Sequence, residues 1–90
     1  MSLYTIFMEF RGGTYIAQVK AASVEKAIRQ WSNTINDTKV AHFGVYSKLE
    51  LQTKILNNSV ERVNETSNVW CTCTSLRTGF VNVYIIKTQN

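Results

Sequence analysis

A chain of 90 residues has room for one domain, and its 44% hydrophobic and 18% charged residues exclude an intrinsically disordered protein. Ten lysines and arginines against six acidic residues give a net charge of +4, which favours acidic partners only weakly. The basic residues are spread along the whole sequence, so the charge pattern alone does not indicate a nucleic-acid-binding protein.

The apolar stretches of the sequence have the length of strands and are too short to cross a membrane. No basic leader, apolar block or small-residue cleavage site precedes the first predicted strand. We therefore expect a cytoplasmic protein without a membrane partner. In such a protein the Asn-x-Ser/Thr sequences at Asn36, Asn57 and Asn64 are loop composition and not glycosylation sites.

Residues 3–20 consist of two strand-like runs joined at Gly12-Gly13. Both runs are rich in residues that favour strands, and the two glycines supply the positive φ angles that a two-residue turn requires. The pattern predicts a β-hairpin. It does not predict a phosphate-binding loop, because a strand and not a helix follows the glycines.

A helix of about three turns is predicted next, with Ser23 as its N-cap. Glu25 lies in the first turn, where the helix dipole favours a negative charge. Apolar residues then recur at helical spacing on one side of the helix. Trp31 is the largest of them, and we expect it to anchor the helix to the sheet.

A second, shorter helix is predicted over residues 48–57. Ser47 and Glu50 have the spacing of a capping box, and Tyr46 and Leu51 occupy the two positions of a hydrophobic staple. The alternative is a strand over the same stretch, because so short an apolar run does not distinguish the two structures.

The last third of the chain predicts a connection and a second hairpin. Residues 57–68 are polar and are expected to form a surface connection. Residues 69–75 and 80–88 are strand-like, and Gly79 stands where the left-handed residue of a G1 bulge is expected. The order β-β-α-(α)-β-β predicts one α+β domain over residues 1–90, with a four-stranded, mainly antiparallel sheet and the helices on one face.

The residue types that carry out chemistry form no recognisable site. Cys71 and Cys73 lie on one face of a predicted strand, about 7 Å apart, so we expect buried core thiols and not a disulfide, a metal site or a redox pair. His42 is the only histidine, and it has no partner at the spacing of a metal site or of a nucleophile and its base. We therefore expect a protein that is not an enzyme, with no catalytic residue, metal or cofactor.

The predicted sheet has apolar side chains on both faces. If the helices cover the side that carries Val81 and Ile85, then Trp70, Tyr84 and Ile86 remain on the other side among polar residues. Such a face is typical of a dimer interface, a docking surface for another protein or a platform for nucleobases, unless loops cover it. Trp70, Tyr84 and Ile86 are our predicted interface residues.

Three segments resemble a family of small bacterial proteins of unknown function: residues 10–19 (FRGGTYIAQV), 22–27 (ASVEKA) and 68–71 (NVWC). The resemblance spans most of the chain and implies an α+β fold and a bacterial, cytoplasmic origin, but no activity and no site residue. The first 35 residues also resemble the strand-glycine-strand-helix opening of HicB-type antitoxins, although the proline-rich loop of that family is absent.

Two hypotheses of function follow. The first is a non-enzymatic interaction module, as a homodimer or with another protein, that binds through an exposed sheet face or edge. The alternative is a nucleic-acid-associated or antitoxin-like regulatory protein that contacts phosphates through Arg11, Arg29 and Arg77. An enzyme would need an activity that depends on cysteine and that Cys71→Ser abolishes.

Overall fold

The computed structural model describes residues 1–57 and 60–89 as a single α+β domain. Its elements are β1 (Ser2–Phe10), β2 (Gly13–Ala21), α1 (Val24–Thr34), α2 (Gly44–Asn57), β3 (Glu61–Arg62), β4 (Val69–Leu76) and β5 (Gly79–Gln89). The strands form one antiparallel sheet in the order β2-β1-β5-β4-β3. The predicted fold class is confirmed, but the sheet has five strands instead of four.

The additional strand is β3, at one edge of the sheet. Glu61 and Arg62 pair with Cys71 and Trp70 in a segment that was predicted to be a connection. The two residues are charged and exposed, so they do not show the alternation of apolar and polar side chains by which a strand is predicted from sequence. Residues 58 and 59 of the predicted connection lie outside the described residues.

The first hairpin is confirmed, but its turn lies one residue earlier than predicted. The positive φ angles belong to Arg11 (48°) and Gly12 (83°), whereas Gly13 is already paired with Phe10. Position 13 requires glycine for a steric reason, since a Cβ atom there would lie 2.8 Å from the hydroxyl of Tyr15. The two glycines therefore have different roles, one in the turn and one beneath an aromatic ring.

The second hairpin has no bulge at Gly79. Leu76 pairs directly with Gly79, so that Arg77 and Thr78 alone form the turn. The φ angle of Gly79 is 153°, far from the value near 57° of the left-handed helical conformation. The predicted G1 bulge is therefore wrong, and the register of β4 against β5 differs by one residue from a bulged hairpin.

Helix α1 matches its prediction. The Ser23 hydroxyl accepts a hydrogen bond from the backbone N–H of Lys26 at 3.3 Å, which makes Ser23 the N-cap. Trp31 is only 3% exposed and belongs to the same buried cluster as Ala27 and Ile28. The apolar side of α1 thus packs against the sheet through its largest residue.

Helix α2 is confirmed as a helix, which excludes the strand alternative, but it begins four residues before position 48, at Gly44. Ser47 is buried inside it, and its hydroxyl lies 2.6 Å from that of Thr78. Glu50 accepts a hydrogen bond from the backbone N–H of Arg77 at 3.1 Å. The capping box and the staple are therefore wrong, because these polar groups bond to the second hairpin and Tyr46 is 84% exposed.

Both helices cover the same face of the sheet. Side chains of β1 and β5 that alternate along the strands share one buried cluster with Trp31 of α1 and Leu51 of α2; they are Tyr4, Ile6, Met8, Phe10, Val81, Val83 and Ile85. No helix among the described residues is long and apolar enough to span a membrane. The opposite face of the sheet is left for other contacts.

Candidate functional site

A row of side chains crosses the face of the sheet that the helices do not cover, which we call the open face. Ile16 of β2, Phe7 of β1, Tyr84 of β5 and Cys71 of β4 lie directly beside one another in the strand register. Ile16 and Tyr84 are 61% and 37% exposed, and the other two are half-buried. Because neighbouring strands lie about 4.8 Å apart, this cross-strand row is about 14 Å long.

Polar side chains border the cross-strand row on one side. The Gln18 amide donates to the Thr5 hydroxyl at 3.0 Å, and the Thr5 and Thr88 hydroxyls lie 3.2 Å apart. Thr88 also donates to the backbone carbonyl of Leu3 at 3.2 Å. These groups bond to one another, so they form an ordered polar rim beside the apolar row.

The three predicted interface residues do not share one face. Tyr84 and Ile86 lie on the open face, in register with Phe7 and Thr5 of β1. Trp70 pairs with Ile85 and therefore faces the helices, with its ring centre 6.2 Å from that of Tyr4. The placement of Trp70 on the open face is wrong, because a shift of one residue in register moves a side chain to the other face.

Trp70→Ala is accordingly expected to lower the stability of the fold. Trp70 is half-buried and packs against the core cluster, so the expected loss in free energy of unfolding is about 2 kcal/mol, below the ~3–5 kcal/mol of a fully buried aromatic residue. Urea denaturation measures it, with Trp70→Phe as the control that keeps the ring contact to Tyr4. An unchanged denaturation midpoint would contradict this packing role.

Three members of the row, Phe7, Ile16 and Cys71, were not among the predicted interface residues. Phe7 and Ile16 lie opposite each other because the turn is centred on Arg11 and Gly12. With the predicted turn at Gly12-Gly13, Phe7 would lie opposite Gln18, and the row would be interrupted. The position of the turn was the signal that could have identified the row.

The charges on the open face nearly cancel. Glu9 of β1 and Glu61 of β3 carry negative charges, and Lys20 of β2 carries a positive charge; the strand register places all three on this face. The cationic residues of the chain are thus not concentrated beside the cross-strand row. Such a surface provides little attraction for phosphate groups.

The predicted phosphate contacts are only partly brought together. Arg11 lies in the first hairpin turn, and its guanidinium donates to the carbonyl of Thr78 in the second turn at 3.2 Å. Arg77 belongs to that second turn, so both arginines lie at one end of the sheet. Arg29 is exposed on a different element, α1.

An acidic residue accompanies Arg77 at this end. The Glu50 carboxylate accepts the Arg77 N–H and lies 3.4 Å from the Lys54 ammonium, which also donates to the carbonyl of Ser75. The backbone hydrogen bond from Arg77, followed by the contact with Lys54, lowers the pKa of Glu50 below its ordinary value of 4.5. The negative charge of Glu50 offsets part of the positive charge at the hairpin turns.

The pKa of Glu50 makes a test of this contact possible. Because the pKa is lowered on folding, ionised Glu50 stabilises the protein above the unfolded-state pKa, and this stabilisation is lost as the pH falls through the folded-state pKa. We expect Glu50→Gln to lose less stability than the wild type when the pH is lowered from about 6 to about 3. Urea denaturation at several pH values measures this, with the exposed Glu65→Gln as control, and parallel curves for wild type and Glu50→Gln would contradict it.

The cysteines and the histidine form no catalytic or metal constellation in the described part of the chain. Cys71 and Cys73 form no disulfide, but the prediction of buried core thiols is wrong, because both lie on the open face, where Cys71 is half-buried in the cross-strand row and Cys73 is exposed. His42 is exposed, outside the sheet. Among residues 1–57 and 60–89, no three His, Cys, Asp or Glu side chains come together as metal ligands.

A second exposed apolar group lies on α2. Val45, Tyr46 and Leu49 are all more than half exposed, although sequence reasoning placed Tyr46 in a hydrophobic contact. They lie on one side of the first turns of the helix, away from the buried Ser47 and Leu51. This group lies on a single element, whereas the cross-strand row spans four strands.

Comparisons with protein families, curated proteins and solved structures found no match to this chain. The resemblances to the family of small bacterial proteins and to the HicB-type antitoxins therefore stay predictions. Any proposal of function depends on the surfaces described above.

Proposed function

We propose that this protein is a small binding module that acts without catalysis and docks a protein partner, another protein or a second copy, on its open face. The observation that carries the proposal is the cross-strand row, in which side chains from four neighbouring strands are aligned and Ile16 and Tyr84 are substantially exposed. Contiguous exposed apolar groups with a polar rim are typical of interaction sites. The cytoplasmic location expected from the sequence is part of this proposal.

The charges of the open face favour a protein partner over a nucleic acid. A nucleobase platform needs aromatic rings together with cations that follow the phosphates. Phe7 and Tyr84 could stack on bases, but Glu9 and Glu61 outnumber Lys20 on this face. A protein patch with an apolar centre and few charges matches the row and its rim better.

A photo-reactive amino acid at position 84 tests the proposal, with one at position 29 on the exposed side of α1 as the matched control. We expect cross-linking to one partner, or to a second copy, from position 84 and not from position 29. That partner is then purified and titrated against the wild type and Tyr84→Lys. Because charge inside an apolar contact is poorly tolerated, its affinity should fall more than about tenfold.

Two results would contradict docking on the open face. One is the same cross-linked products from positions 84 and 29. The other is an unchanged affinity of the purified partner for Tyr84→Lys, with circular dichroism showing that the variant is folded. Cross-linking only to a second copy supports the self-association form of the proposal.

A nucleic-acid-associated, antitoxin-like protein is the second candidate function. The observation that favours it is the contact between the two hairpin turns, which brings Arg11 and Arg77 to one end of the sheet. If both contact phosphates, Arg11→Ala with Arg77→Ala should reduce the slope of log affinity against log salt by about 2. Fluorescence anisotropy with labelled DNA and RNA oligonucleotides at several salt concentrations measures this, and an unchanged slope or no binding at low salt would exclude the candidate.

A further inference from the structure

The two edges of the sheet are protected to different degrees. The edge strand β3 has two residues, Glu61 and Arg62, both charged and exposed. The other edge strand, β2, has nine residues, no proline, no irregularity in its register with β1 and one charged residue, Lys20. Long edge strands are usually protected by charges, prolines, bulges or a covering element, because they offer unpaired backbone groups to other chains. Strand β2 has little such protection.

The backbone groups that β2 directs away from the sheet can be assigned from the register. In a hairpin with a two-residue turn, the residues that flank the turn form the first hydrogen-bonded pair; here they are Phe10 and Gly13. Because hydrogen-bonded pairs alternate along antiparallel strands, the backbone groups of every second residue of β2 after Gly13 bond to β1. The remaining residues direct N–H and C=O outward; they are Thr14, Ile16, Gln18 and Lys20. Within residues 1–57 and 60–89, no backbone hydrogen bond from another element reaches these four.

We propose that β2 pairs antiparallel with β2 of a second copy of this chain, about a two-fold axis at Ala17. In this register Thr14 lies opposite Lys20 of the second copy, and Ile16 lies opposite Gln18. All four outward residues of each strand then pair, which gives about eight interchain hydrogen bonds. Displacing the axis to Ile16 or Gln18 leaves one end of each strand without an outward partner.

Charge complementarity on the open face supports a second copy as the occupant. Lys20 of the second copy lies beside Thr14, whose neighbour on β1 is Glu9. Two strand spacings, about 10 Å, separate the backbones of this lysine and of Glu9, a distance that the two long side chains span together. The two-fold axis generates this pairing of opposite charges twice.

The side of β2 that faces the helices is also self-complementary. Ala17 lies opposite Ala17 of the second copy, so the smallest side chain occupies the axis. Tyr15 lies opposite Val19 of the second copy, and aromatic with β-branched pairs are favourable across antiparallel strands. Tyr15 is held in place by its hydroxyl, which accepts a hydrogen bond from the N–H of Ala41 at 3.3 Å.

A cleft lies beside β2, on the side of the strand that faces the helices. Its volume is about 160 Å³, and Tyr15 and Ala17 line one side while Ile35 and Val40 line the other. In the proposed register the side chain opposite Tyr15 is Val19 of the second copy, an apolar group next to a mainly apolar cleft. Thr14, Ile16, Gln18 and Lys20 are all exposed, so the segment after α1 leaves the outward residues of β2 accessible.

The edge of β2 and the open face are different surfaces. Pairing through β2 would leave Tyr84 of both copies uncovered and would place the two cross-strand rows on one continuous face of a ten-stranded sheet. The inference therefore does not depend on the open face being a binding site.

Proline at position 18 tests the edge directly. The outward N–H of Gln18 does not bond to β1, so Gln18→Pro removes a backbone donor from the edge and none from the backbone pairing of β1 with β2. Between these two strands it removes only the side-chain hydrogen bond from Gln18 to Thr5. We expect a dimer of the wild type and a monomer of Gln18→Pro in size-exclusion chromatography with light scattering, whereas Tyr84→Ala should remain a dimer. Circular dichroism checks that each variant is folded.

A second edge variant keeps the test decisive if the proline variant does not fold. Ile16→Lys with Gln18→Lys places like charges directly opposite each other in the proposed register, and like charges oppose such pairing. We expect this double variant to be monomeric and folded. A wild type that is monomeric up to millimolar concentration, or a dimer that survives both edge variants, would overturn the proposal.

Disulfide trapping tests the position of the axis. In a Cys71→Ser, Cys73→Ser background, Ala17→Cys places two cysteines in a non-hydrogen-bonded pair with Cα atoms about 4.5 Å apart, within disulfide range. Cysteines at position 16 or 18 would lie about 8 Å from their own copies, beyond that range. Oxidation should therefore yield a covalent dimer of Ala17→Cys alone, and efficient cross-linking at 16 or 18 instead would overturn the axis at Ala17.

Discussion

Replacing Trp31 with alanine is expected to lower the free energy of unfolding by about 3–5 kcal/mol. The indole is 3% exposed and lies in the same buried cluster as Ile6 and Met8 of the sheet, so its loss leaves a large cavity between α1 and the strands. A domain of this size has a total stability of roughly 5–15 kcal/mol. The substitution therefore removes a large fraction of that stability, because no other side chain of α1 fills the same volume.

Urea denaturation followed by far-ultraviolet circular dichroism measures this effect without depending on tryptophan fluorescence. Arg29→Ala is the matched control, since Arg29 is exposed on the same helix. Its stability should change by less than about 0.5 kcal/mol, because alanine is a good helix former and no buried contact is lost. Equal midpoints for Trp31→Ala and Arg29→Ala would show that Trp31 does not anchor α1.

Features that depend on neighbouring residues could be predicted from the sequence. The Ser23 cap needs only the N–H of Lys26, three residues later, and the burial of Trp31 follows from the spacing of apolar residues along α1. The first hairpin likewise needs a two-residue turn between two runs of strand-forming residues. Each of these interactions is encoded within one element or within two consecutive elements.

The start of α2 shows where such local prediction fails. Ser47 and Glu50 have the spacing of a capping box, but their partners are Thr78 and the N–H of Arg77, about thirty residues away in the sequence. These contacts exist only after the second hairpin has packed against α2. A local motif cannot reveal contacts between residues so far apart in the sequence. The motif therefore misplaced the start of α2, which begins at Gly44.

The candidate site depended on the register of the two hairpins. One extra residue in the second turn would place Trp70 opposite Ile86 and thus on the open face, whereas the two-residue turn places it opposite Ile85. In the first hairpin the shifted turn places Phe7 opposite Ile16 instead of opposite Gln18. The composition of the open face was therefore partly predictable, but the alignment of its apolar row was not.

Phe10→Ala is expected to cost about 3–5 kcal/mol of unfolding free energy. Its ring is 2% exposed and meets Phe43 edge to face, with ring centres 5.2 Å apart and planes at 86°. Phe10 therefore connects β1 to the segment between the two helices. The same ring also limits what position 79 can hold, because a Cβ atom on Gly79 would lie 3.1 Å from its Cε1 atom.

That close approach predicts a coupling between two substitutions. Gly79→Ala should destabilise the wild type by about 1–3 kcal/mol, because the φ angle of 153° is unfavourable for a side chain and the new methyl group presses on Phe10 and Arg11. In the Phe10→Ala background part of that pressure is absent. The two changes together should therefore cost less than the sum of their separate costs, and urea denaturation of all four proteins of the double-mutant cycle measures the difference.

Gly12→Ala separates backbone strain from steric contact in this cycle. Gly12 has a φ angle of 83°, but a Cβ atom there would meet no atom within 4 Å. Its substitution should destabilise the first turn through the backbone alone, by about 1–2 kcal/mol, and equally in the presence and absence of the Phe10 ring. The cost of Gly79→Ala is then compared in the wild type and in the Phe10→Ala background. If the two costs agree within about 0.5 kcal/mol, as expected for Gly12→Ala, the Phe10 ring does not contribute to the cost of a side chain at position 79, and the φ angle of Gly79 alone accounts for it.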